Sequence, residues 1–553
     1  MGAGGDAAVV VARDVPDHVI GSRRVSELLP TKATFAPDEP IEIEVRGSGG
    51  PESLSLTWLD ATVETVDLLP GERLARFSPQ AEGGYGVDGG GLHTAVDVLA
   101  DPLARARYGF VADFAAVREV SGVIDNVRRL HLNAIQFYDW MYRHAQLLPP
   151  EGDEFVDALG RPLSLATVRL LAEELTQAGS LPLGYAAVYA AGKEEWPTWE
   201  TDGLYRANGQ PWTLGEDFLW NVDPTSERWQ AHFAGDLRTA AANVGFAGFH
   251  LDQYGAPKYA LRSDGTRVDL AEAFPALITR LADELQSSRL IFNNVNDFPT
   301  WSTARAPQAA VYIEVWSPHE RLLDIVRLVN KARSYAPDKG VILAAYLSVY
   351  AGDEREGAHE AQRLLLATAF SHGATVLLHG EEHDVLTEAY YVRHAQLTTD
   401  EDESTRRYYD FAVRYGDLLF DRQAIDVTDT HFGGVNEEVR IDTDRPVCSQ
   451  PQPGALWARI CRLPGGLLVS LIDLSGQDDD RWDAPKRPAH TLSNLRLSLE
   501  RSTRSAERFL FADPDDQPAL IELPVESDGR YDTVTLPSFS TWALVWIPQT
   551  GGQ

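Results

Sequence analysis

The sequence predicts a multidomain protein of α/β and all-β parts, in which a central (β/α)8 TIM barrel is flanked by two β-sandwiches. Three observations support this fold class. At 553 residues the chain is too long for one hydrophobic core. Its middle part alternates short apolar runs with longer amphipathic stretches, as parallel β/α units do. Both ends instead carry short β-rich runs between turn residues. We place the three domains at 1–106, 107–420 and 421–553.

The first domain is predicted to be an immunoglobulin-like β-sandwich. Short runs with β-strand character occur at Ile41–Val45, Leu54–Leu59 and Leu92–Leu99. Turn residues such as those from Gly47 to Pro51 separate the first two runs. Several short strands with turns between them are typical of antiparallel sheets.

Eight apolar runs in the middle of the chain are predicted to be the barrel strands. In order they are Tyr108–Phe114, Ala134–Phe137, Leu181–Ala187, Gly248–Asp252, Leu290–Val295, Ala310–Glu314, Gly340–Ala345 and Ala374–His379. Helical patterns between them lie at Ser164–Ala178, Glu227–Val244, Leu270–Leu285, Glu320–Ser334 and Gly357–His372. Eight such units close a TIM barrel. A doubly wound open sheet is the alternative, but it usually has fewer strands, and no G-x-G-x-x-G follows the first run.

The C-terminal part returns to a β pattern and is predicted to be an antiparallel β-sandwich. Its main runs are Ala455–Leu463, Gly466–Leu474, Arg508–Ala512 and Ser540–Ile547. Both cysteines, Cys448 and Cys461, fall in this part and suit neither a disulfide framework nor a zinc site. They could pair across a hairpin, but we expect two buried free thiols.

Composition excludes several classes of partner. With 49 basic and 82 acidic residues the net charge is −33, which disfavours nucleic acids and anionic membranes but not a neutral sugar. No run approaches the roughly 18 apolar residues of a membrane span. Met1–Ile20 lacks a basic region followed by an apolar core, so we expect a cytoplasmic protein unless the N-terminus was trimmed. We expect no cofactor and no metal, and the oligomeric state stays open.

Polar and aromatic residues stand where the predicted barrel strands end, which is where such barrels carry their active sites. Aromatic rings stack on sugar faces, while amides, carboxylates and imidazoles bond hydroxyl groups. Phosphate-binding Lys, Arg or glycine nests are missing from these ends. The pattern therefore indicates a saccharide cleft. The predicted substrate-binding residues are Tyr138, Asp139, Trp140, His144, Tyr185, Asn221, Asp223, His250, Gln253, Tyr254, Asn294, Trp316 and His379.

Asp252 and Glu314 are the predicted catalytic pair. Each ends an apolar run, and the two runs lie two strands apart, so both can reach the same mouth. Cleavage of a glycosidic bond needs one carboxylate and one carboxylic acid. Either residue could instead form an ion pair or cap a helix. His250, Trp140 and Trp316 could equally be packing residues, and His144 could cap a helix.

Three segments resemble glycoside hydrolase family 66, the family of dextranases and cycloisomaltooligosaccharide glucanotransferases. They are Leu132–Trp140 followed by Arg143 and His144, Gly245–Gly255, and Tyr312–Trp316. The similarity extends over about 108–417 and follows the β–barrel–β order. It implies a retaining double displacement on α-1,6-linked glucan, with Asp252 as nucleophile and Glu314 as acid/base.

Two departures from that family bear on the reaction. The glucanotransferases carry a carbohydrate-binding module within the barrel, and the segment in this chain is too short for one, which favours hydrolysis. The known dextranases are exported, whereas this chain shows no export signal. Transfer to a sugar acceptor remains an alternative. So do a metal-dependent enzyme using His250, Asp252, Glu314 and His379, and a glucan-binding protein without catalysis.

Overall fold

The structure is a computed structural model that describes residues 26–48, 50–286, 288–352, 355–501 and 508–549. The predicted lack of a signal segment concerns Met1–Ile20, which lies outside the described residues, and the cytoplasmic location stays a prediction. No helix among the described residues is long and apolar enough to cross a membrane.

Two antiparallel sheets precede the barrel. The first has three strands, Glu27–Pro30, Ile41–Arg46 and Leu74–Phe77. The second has four, in the order Ala61–Asp67, Ser53–Trp58, Gly83–Gly89 and Leu92–Val98. Ile43 of the first sheet and Leu56 and Val96 of the second share one buried cluster, so the sheets pack face to face. An immunoglobulin-like strand order and the domain boundaries stay predictions.

Eight parallel strands form the central sheet. They are Tyr108–Val111, Ala134–Phe137, Leu181–Ala187, Gly248–Asp252, Arg289–Val295, Ala310–Glu314, Gly340–Ala344 and Ala374–Val376, numbered first to eighth below. Strands adjacent in the chain are adjacent in the sheet. The amide of Phe110 donates to the carbonyl of His379 at 3.2 Å, which brings the first strand against the end of the eighth. The barrel is nearly closed, so this part of the predicted fold is confirmed.

Side chains along the barrel strands alternate between the barrel interior and the surrounding helices. Ile291 and Tyr312 belong to the interior cluster. Their neighbours Phe292 and Ile313 belong to the cluster outside the barrel, among the helices. This period of two decides which residues at a strand end face the mouth.

Helices surround the barrel close to their predicted positions. The longer α-helices are Ser121–Arg129, Leu165–Gln177, Glu227–Val244, Leu270–Leu285, Leu322–Tyr335, Ala358–Ser371 and Thr399–Arg414. Short ones are Trp196–Trp199, Thr300–Thr303, Gly416–Leu419 and Thr428–His431, with 3-10 turns at Pro102–Arg105, Glu200–Asp202 and Ser348–Ala351. The Ser226 side chain caps the N-terminus of its helix, and Gly245 ends that helix at a φ of 91°.

Four small antiparallel sheets extend from loops at the C-terminal mouth. They follow the second, third, fourth and eighth barrel strands. Their strands are Glu154–Val156 with Pro162–Ser164, Ala190–Gly192 with Thr213–Leu214 and Leu219–Asn221, Tyr259–Leu261 with Arg267–Asp269, and Asp384–Leu386 with His394–Gln396. The last pair is called the 384–396 hairpin below.

Two further sheets follow the barrel in the described part of the chain, and they are antiparallel except where Val447–Cys448 pairs in parallel with Leu456–Leu463. The larger contains Ile425–Asp426, Val447–Cys448, Leu456–Leu463, Gly466–Asp473, Leu510–Ala512, Ile521–Glu522 and Trp542–Pro548. The smaller contains Val439–Asp442, Arg496–Glu500, Glu526–Ser527 and Tyr531–Thr535. Val469 and Leu497 lie in the cluster between them. On the other face of the larger sheet, Trp542 contacts Phe370 and Phe411 of the barrel helices.

The two cysteines are unpaired. Cys461 is buried, as predicted, whereas Cys448 is partly exposed, and its Sγ lies 3.2 Å from Oε1 of Gln452. The predicted burial is therefore wrong for Cys448, because its strand, Val447–Cys448, adds to the sheet beside Leu456–Leu463 without being covered.

A buried ion pair connects the second N-terminal sheet to the barrel. Nη1 of Arg107 lies 2.7 Å from Oδ2 of Asp97, and the two side chains are 1% and 0% exposed. Nη1 of Arg105 also contacts Asp97, at 3.2 Å. Removing one partner of such a pair leaves an uncompensated buried charge.

Asp97→Ala is therefore expected to lower the free energy of unfolding by about 3–5 kcal/mol. Asp153→Ala breaks an exposed pair with Arg169 and serves as the matched control, with an expected loss of less than about 1 kcal/mol. Urea unfolding of both variants measures the difference. Equal losses would contradict the assignment of Arg107 and Asp97 as a stability-determining pair.

Candidate active site

A cavity of about 420 Å³ opens at the C-terminal mouth of the barrel. Strand ends form its floor, and loops from the small sheets form its walls. Its lining consists of Gln136, Tyr138, Asp139, His144, Leu159, Tyr185, Leu214, Phe218, Leu219, His250, Asp252, Gln253, Tyr254, Asn293, Val295, Glu314, Trp316, Tyr346, Ala389, Tyr390 and Tyr391.

Asp252 is the last residue of the fourth strand, and its carboxylate faces the cavity. The hydroxyl of Tyr185 donates to Oδ2 at 2.7 Å. The side-chain amide of Asn293 donates to Oδ1, also at 2.7 Å. Both oxygens thus accept a hydrogen bond, and the carboxylate is held in one orientation.

Glu314 ends the sixth strand and is 8% exposed. The hydroxyl of Tyr346 donates to Oε1 at 2.9 Å. Nδ2 of Asn293 donates to Oε2 at 3.1 Å. The seventh and fifth barrel strands therefore each provide a donor to this carboxyl group.

Asn293 joins the two carboxyl groups because its single Nδ2 contacts both. The two distances place Oδ1 of Asp252 and Oε2 of Glu314 less than about 6 Å apart. Glycosidases that retain anomeric configuration have carboxyl groups about 5–5.5 Å apart, and inverting ones about 6.5–9.5 Å. The bound concerns one pair of oxygens and is compatible with the closer class, and a retaining spacing stays a prediction.

Burial raises the pKa of both carboxyl groups, and the charge of Glu314 raises that of Asp252 further. For Asp252, burial and the charge of Glu314 raise the pKa to about 7, against hydrogen bonds from Tyr185, Asn293 and the Gln253 amide. For Glu314, burial raises the pKa, and hydrogen bonds from Asn293, Tyr346 and Trp316 oppose the rise. A charge on either group disfavours a charge on the other, so the pair retains one proton at a pH where isolated carboxyls have lost both.

A third carboxyl group, that of Asp139, lines the cavity. Burial raises the pKa of Asp139 to about 7, although Arg161, with Nη2 3.9 Å from Oδ2, opposes the rise. Asp139 has a φ of 49°, which turns the chain directly after the second strand. His144 also lines the cavity, and burial lowers its pKa to about 4, so its ring is neutral at pH 7.

Aromatic rings form much of the wall. Tyr138 stacks on Tyr391 with ring centroids 4.3 Å apart and lies 5.5 Å from Tyr185. Trp316 is 41% exposed at the rim. Below them, the hydroxyl of Tyr108 and Nδ1 of His250 are 3.1 Å apart, and burial lowers the pKa of His250 to about 3. Neutral histidine and tyrosine side chains beneath aromatic walls suit a neutral ring-shaped ligand.

The structure brings both predicted catalytic residues and eight of the thirteen predicted substrate-binding residues to the cavity. The eight are Tyr138, Asp139, His144, Tyr185, His250, Gln253, Tyr254 and Trp316. The Gln253 amide bonds the carbonyls of Asn293 and Phe298, so this side chain holds the strand ends together. Contact of these residues with substrate stays a prediction.

Two strand-end predictions are corrected. Asn294 does not line the cavity, because its Nδ2 donates to the Tyr312 carbonyl at 2.8 Å and its Oδ1 accepts from Thr303. His379 is fully buried, with Nδ1 2.5 Å from the carbonyl oxygen of Asp384 and Nε2 3.3 Å from Nε2 of Gln362. Both side chains are structural.

Trp140, Asn221 and Asp223 also lie outside the lining. Trp140 is fully buried and donates from Nε1 to the Tyr185 carbonyl at 3.1 Å. Asn221 is 1% exposed in the small sheet after the third strand. Asp223 forms an ion pair with Arg262 at 2.7 Å. None of these three side chains is part of the cavity lining.

The sequence interpretation missed several lining residues. Asn293 and Tyr346 stand at strand ends and could have been found from their parity, since each lies two residues after an interior residue, Ile291 and Ala344. No local pattern points to Tyr390 and Tyr391, which the 384–396 hairpin delivers.

The metal-dependent alternative is not supported by the geometry. It requires His379 beside Asp252 and Glu314, but His379 faces the helices behind the eighth strand. Among the described residues no group of three or more His, Cys, Asp or Glu side chains is placed to hold a metal ion.

The sequence profile of Glycosyl hydrolase family 66 matches residues 86–546, most of the chain. The chain belongs to this family. The resemblance predicted from the three motifs is thereby confirmed, and with it the assignment to the glycoside hydrolases.

Named relatives fall into two groups. A cycloisomaltooligosaccharide glucanotransferase of Niallia circulans is 25% identical over 379 residues, covering 59% of this chain and 39% of that protein. A dextranase of Streptococcus salivarius is 21% identical over 507 residues, covering 77% of this chain and 60% of that protein. The chain thus spans from about two fifths to three fifths of these relatives' lengths.

Solved structures show the same fold. A Paenibacillus sp. cycloisomaltooligosaccharide glucanotransferase, complexed with cycloisomaltoheptaose, superposes with a TM-score of 0.84 at 19% identity, covering 94% of this chain and 99% of that one. An Anoxybacillus α-amylase superposes with a TM-score of 0.51 at 11% identity, covering 81% of this chain and 99% of that one.

Asp252→Asn is expected to stabilise the fold more as the pH rises. The folded chain holds a proton on Asp252 between pH 3.8 and about 7 that the unfolded chain has released. The unmodified chain therefore loses stability across this window, and the variant does not. The difference in melting temperature, variant minus unmodified chain, should increase from pH 4 to about 7 and then level off.

Asp338→Asn is the matched control, because Asp338 is exposed and precedes the seventh strand at the other end of the barrel. Melting curves in matched buffers measure both variants. A pH-independent difference for Asp252→Asn would show that its carboxyl group is not perturbed as described.

Proposed function

We propose that this protein cleaves α-1,6-glucosidic bonds of dextran or isomalto-oligosaccharides with retention of configuration. The observation that supports this most is the single amide of Asn293 between Asp252 and Glu314, since it keeps the two carboxyl oxygens that it contacts within about 6 Å of each other, as double displacement requires of a close pair. Family membership supports glycoside hydrolysis as the reaction class.

In the first step the Asp252 carboxylate attacks the anomeric carbon while the bond from that carbon to the leaving oxygen breaks. Glu314 transfers its proton to the leaving oxygen, so the departing sugar is a neutral alcohol. Hydrogen bonds from Tyr185 and Asn293 favour the ionised form of Asp252. Among the singly protonated forms of the pair, the reactive one has Asp252 ionised and the proton on Glu314.

In the second step water attacks the anomeric carbon of the glycosyl ester. Glu314, now ionised, takes a proton from that water, and the ester bond breaks to restore the Asp252 carboxylate. Two inversions at one carbon give net retention. Ionised Glu314 is stabilised by the donors Asn293 and Tyr346.

The substrate assignment rests on the relatives and on the lining. Dextranase and cycloisomaltooligosaccharide glucanotransferase are the names of the matched relatives, and both concern isomalto-type glucan. The aromatic rings of Tyr138 and Trp316 offer stacking faces for glucose rings. The strongly acidic chain repels anionic polymers but not a neutral glucan.

Transfer to a sugar hydroxyl is the second candidate, because two of the named relatives are glucanotransferases. It uses the same covalent intermediate with a sugar in place of water. Among the described residues, the segments between barrel strands contain only helices and small sheets of two or three strands. The lack of a separate inserted module favours hydrolysis in this chain.

The activity test is a panel of glucans differing in linkage, read by product chromatography and by proton NMR of the first product formed. Dextran and isomalto-oligosaccharides should be cleaved to linear products with the α-anomer appearing first. Cyclic or lengthened products would refute hydrolysis and show that the chain transfers glucosyl groups to sugar acceptors. A β-anomer appearing first would overturn retention.

Asp252→Ala and Glu314→Gln should each lower turnover at least ~10³-fold while folding is kept, because they remove the nucleophile and the proton donor. Initial rates on the best substrate and circular dichroism measure activity and folding. Asp338→Asn, outside the cavity, should keep the unmodified rate. Near-normal rates in both catalytic variants would refute the assignment, and retained glucan affinity without turnover in the unmodified chain would indicate a binding protein.

Azide separates the two roles. In Asp252→Ala a small anion can occupy the space of the lost carboxylate and attack from that side, which gives a β-glucosyl azide. In Glu314→Ala the covalent intermediate still forms from an activated substrate, and azide then gives an α-glucosyl azide. The opposite pairing of product and variant would exchange the assigned roles.

A further inference from the structure

Three tyrosine hydroxyl groups form a hydrogen-bonded series that ends on Glu314. The hydroxyls of Tyr312 and Tyr391 are 3.1 Å apart, as are those of Tyr391 and Tyr346. Tyr346 contacts Oε1 of Glu314 at 2.9 Å. The three tyrosines are 0%, 3% and 5% exposed in the order Tyr312, Tyr391, Tyr346, so these contacts are largely shielded from water.

Proton counting gives this series a direction. Each hydroxyl has one proton, so when Tyr346 donates to Glu314 it can only accept from Tyr391. Tyr391 then accepts from Tyr312. Hydroxyl groups that donate in the same direction polarise one another. The hydroxyl of Tyr391 therefore strengthens the hydrogen bond from Tyr346 to Glu314.

Tyr391 is the one member that the barrel strands do not supply. Tyr312 lies in the sixth strand, and Tyr346 follows the seventh. Tyr391 sits in the 384–396 hairpin, where its ring stacks on Tyr138 at 4.3 Å and meets Phe110 edge-on at 5.2 Å. Rigid packing on both sides fixes its hydroxyl between those of Tyr312 and Tyr346.

We propose that Tyr391 is a positioning residue for Glu314, acting through the hydroxyl of Tyr346. This inference rests on the proposed function, in which Glu314 gives up a proton and later takes one back. When Glu314 is ionised, the series donates toward it. When Glu314 carries its proton on Oε1, the hydroxyls can rotate and the series accepts instead.

The groups that face Glu314 determine how the tyrosine series can change the pKa of this carboxyl group. The titratable ones are Asp252 from the fourth strand, Tyr346 after the seventh, and Tyr312 and Tyr391 behind Tyr346. Asn293 and Trp316 add neutral donors. A hydrogen bond to a charged carboxylate is stronger than one to a neutral carboxyl group, so loss of the Tyr391 hydroxyl destabilises the ionised form more, and the pKa of Glu314 should rise.

The test compares Tyr346→Phe, Tyr391→Phe and Tyr312→Phe, each of which keeps its ring. Glu314 must be protonated for the first step, so the basic limb of the kcat/KM profile should move to higher pH. We expect about 0.5 pH unit in Tyr391→Phe, a larger shift in Tyr346→Phe and a smaller one in Tyr312→Phe. In Tyr391→Phe kcat should fall about 5-fold, with KM changing less than 2-fold, because a weaker donor affects the transition state more than the ground state.

Tyr415→Phe is the matched control, because Tyr415 is fully buried and donates to the Pro518 carbonyl at 2.7 Å, outside the cavity. It should leave the pH profile unchanged. A Tyr391→Phe profile equal to that of Tyr415→Phe would overturn the inference, as would shifts that do not decrease from Tyr346 to Tyr391 to Tyr312.

Infrared spectra distinguish failure of this inference from failure of the proposed function. The difference between the unmodified chain and Glu314→Gln reports the protonation of Glu314 without turnover. The same upward shift is expected when Tyr391→Phe is compared with its own Glu314→Gln double variant. A chain inactive on every glucan would refute the function, and the infrared titration would still support the series if it shifts or overturn it if it does not.

Discussion

The site depends on one constraint, which is that two buried carboxyl groups approach so closely that Oδ1 of Asp252 and Oε2 of Glu314 are less than about 6 Å apart. Burial and repulsion both disfavour two charges at such a distance. The structure offsets this with donors rather than with cations. Asn293 donates to both groups. Tyr185 donates to the other oxygen of Asp252, and Tyr346 donates to the other oxygen of Glu314. A nearby Lys or Arg would neutralise the pair but would also lower both pKa values and remove the proton that an acid catalyst needs.

The barrel makes this arrangement possible because it brings strand ends to one level. Asp252 is paired in register with Ala187 of the third strand, and Glu314 with Val295 of the fifth and Ala344 of the seventh. The fifth strand lies between the two acids in the sheet. Asn293 is the inward-facing residue of that strand beside Asp252, and its amide contacts both acids, whereas Val295, which is in register with Glu314, is apolar. The donor between the acids follows from strand order and from the period of two.

Periodicity in the sequence was sufficient to predict the barrel and to place Asp252 and Glu314 at one mouth, since apolar strands and helices of period 3.6 are set by local burial. Periodicity was insufficient to predict the residues that surround the two acids. Asn293 and Asn294 are adjacent amides at one strand end. Only the alternation of inward and outward side chains shows that Asn293, and not the predicted Asn294, faces the cavity. His379 and Asp223 are polar residues whose partners come from other segments. The ring of Tyr391 stacks on that of Tyr138, which lies near the start of the barrel sequence, whereas Tyr391 lies near its end. No local sequence pattern encodes such a contact.

Chemistry and selectivity occupy different parts of this cavity. The acids and their donors lie on or directly after barrel strands, whose pairing holds them rigidly. Much of the wall, including Leu159, Leu214, Phe218 and Tyr390, comes instead from loops between small sheets. The same glycosyl ester can be opened by water or by a sugar hydroxyl, and the carboxylates serve both reactions equally. The outcome depends on which acceptor the wall admits to the anomeric carbon. In the proposed mechanism the loops, rather than the strand ends, therefore decide between hydrolysis and transfer.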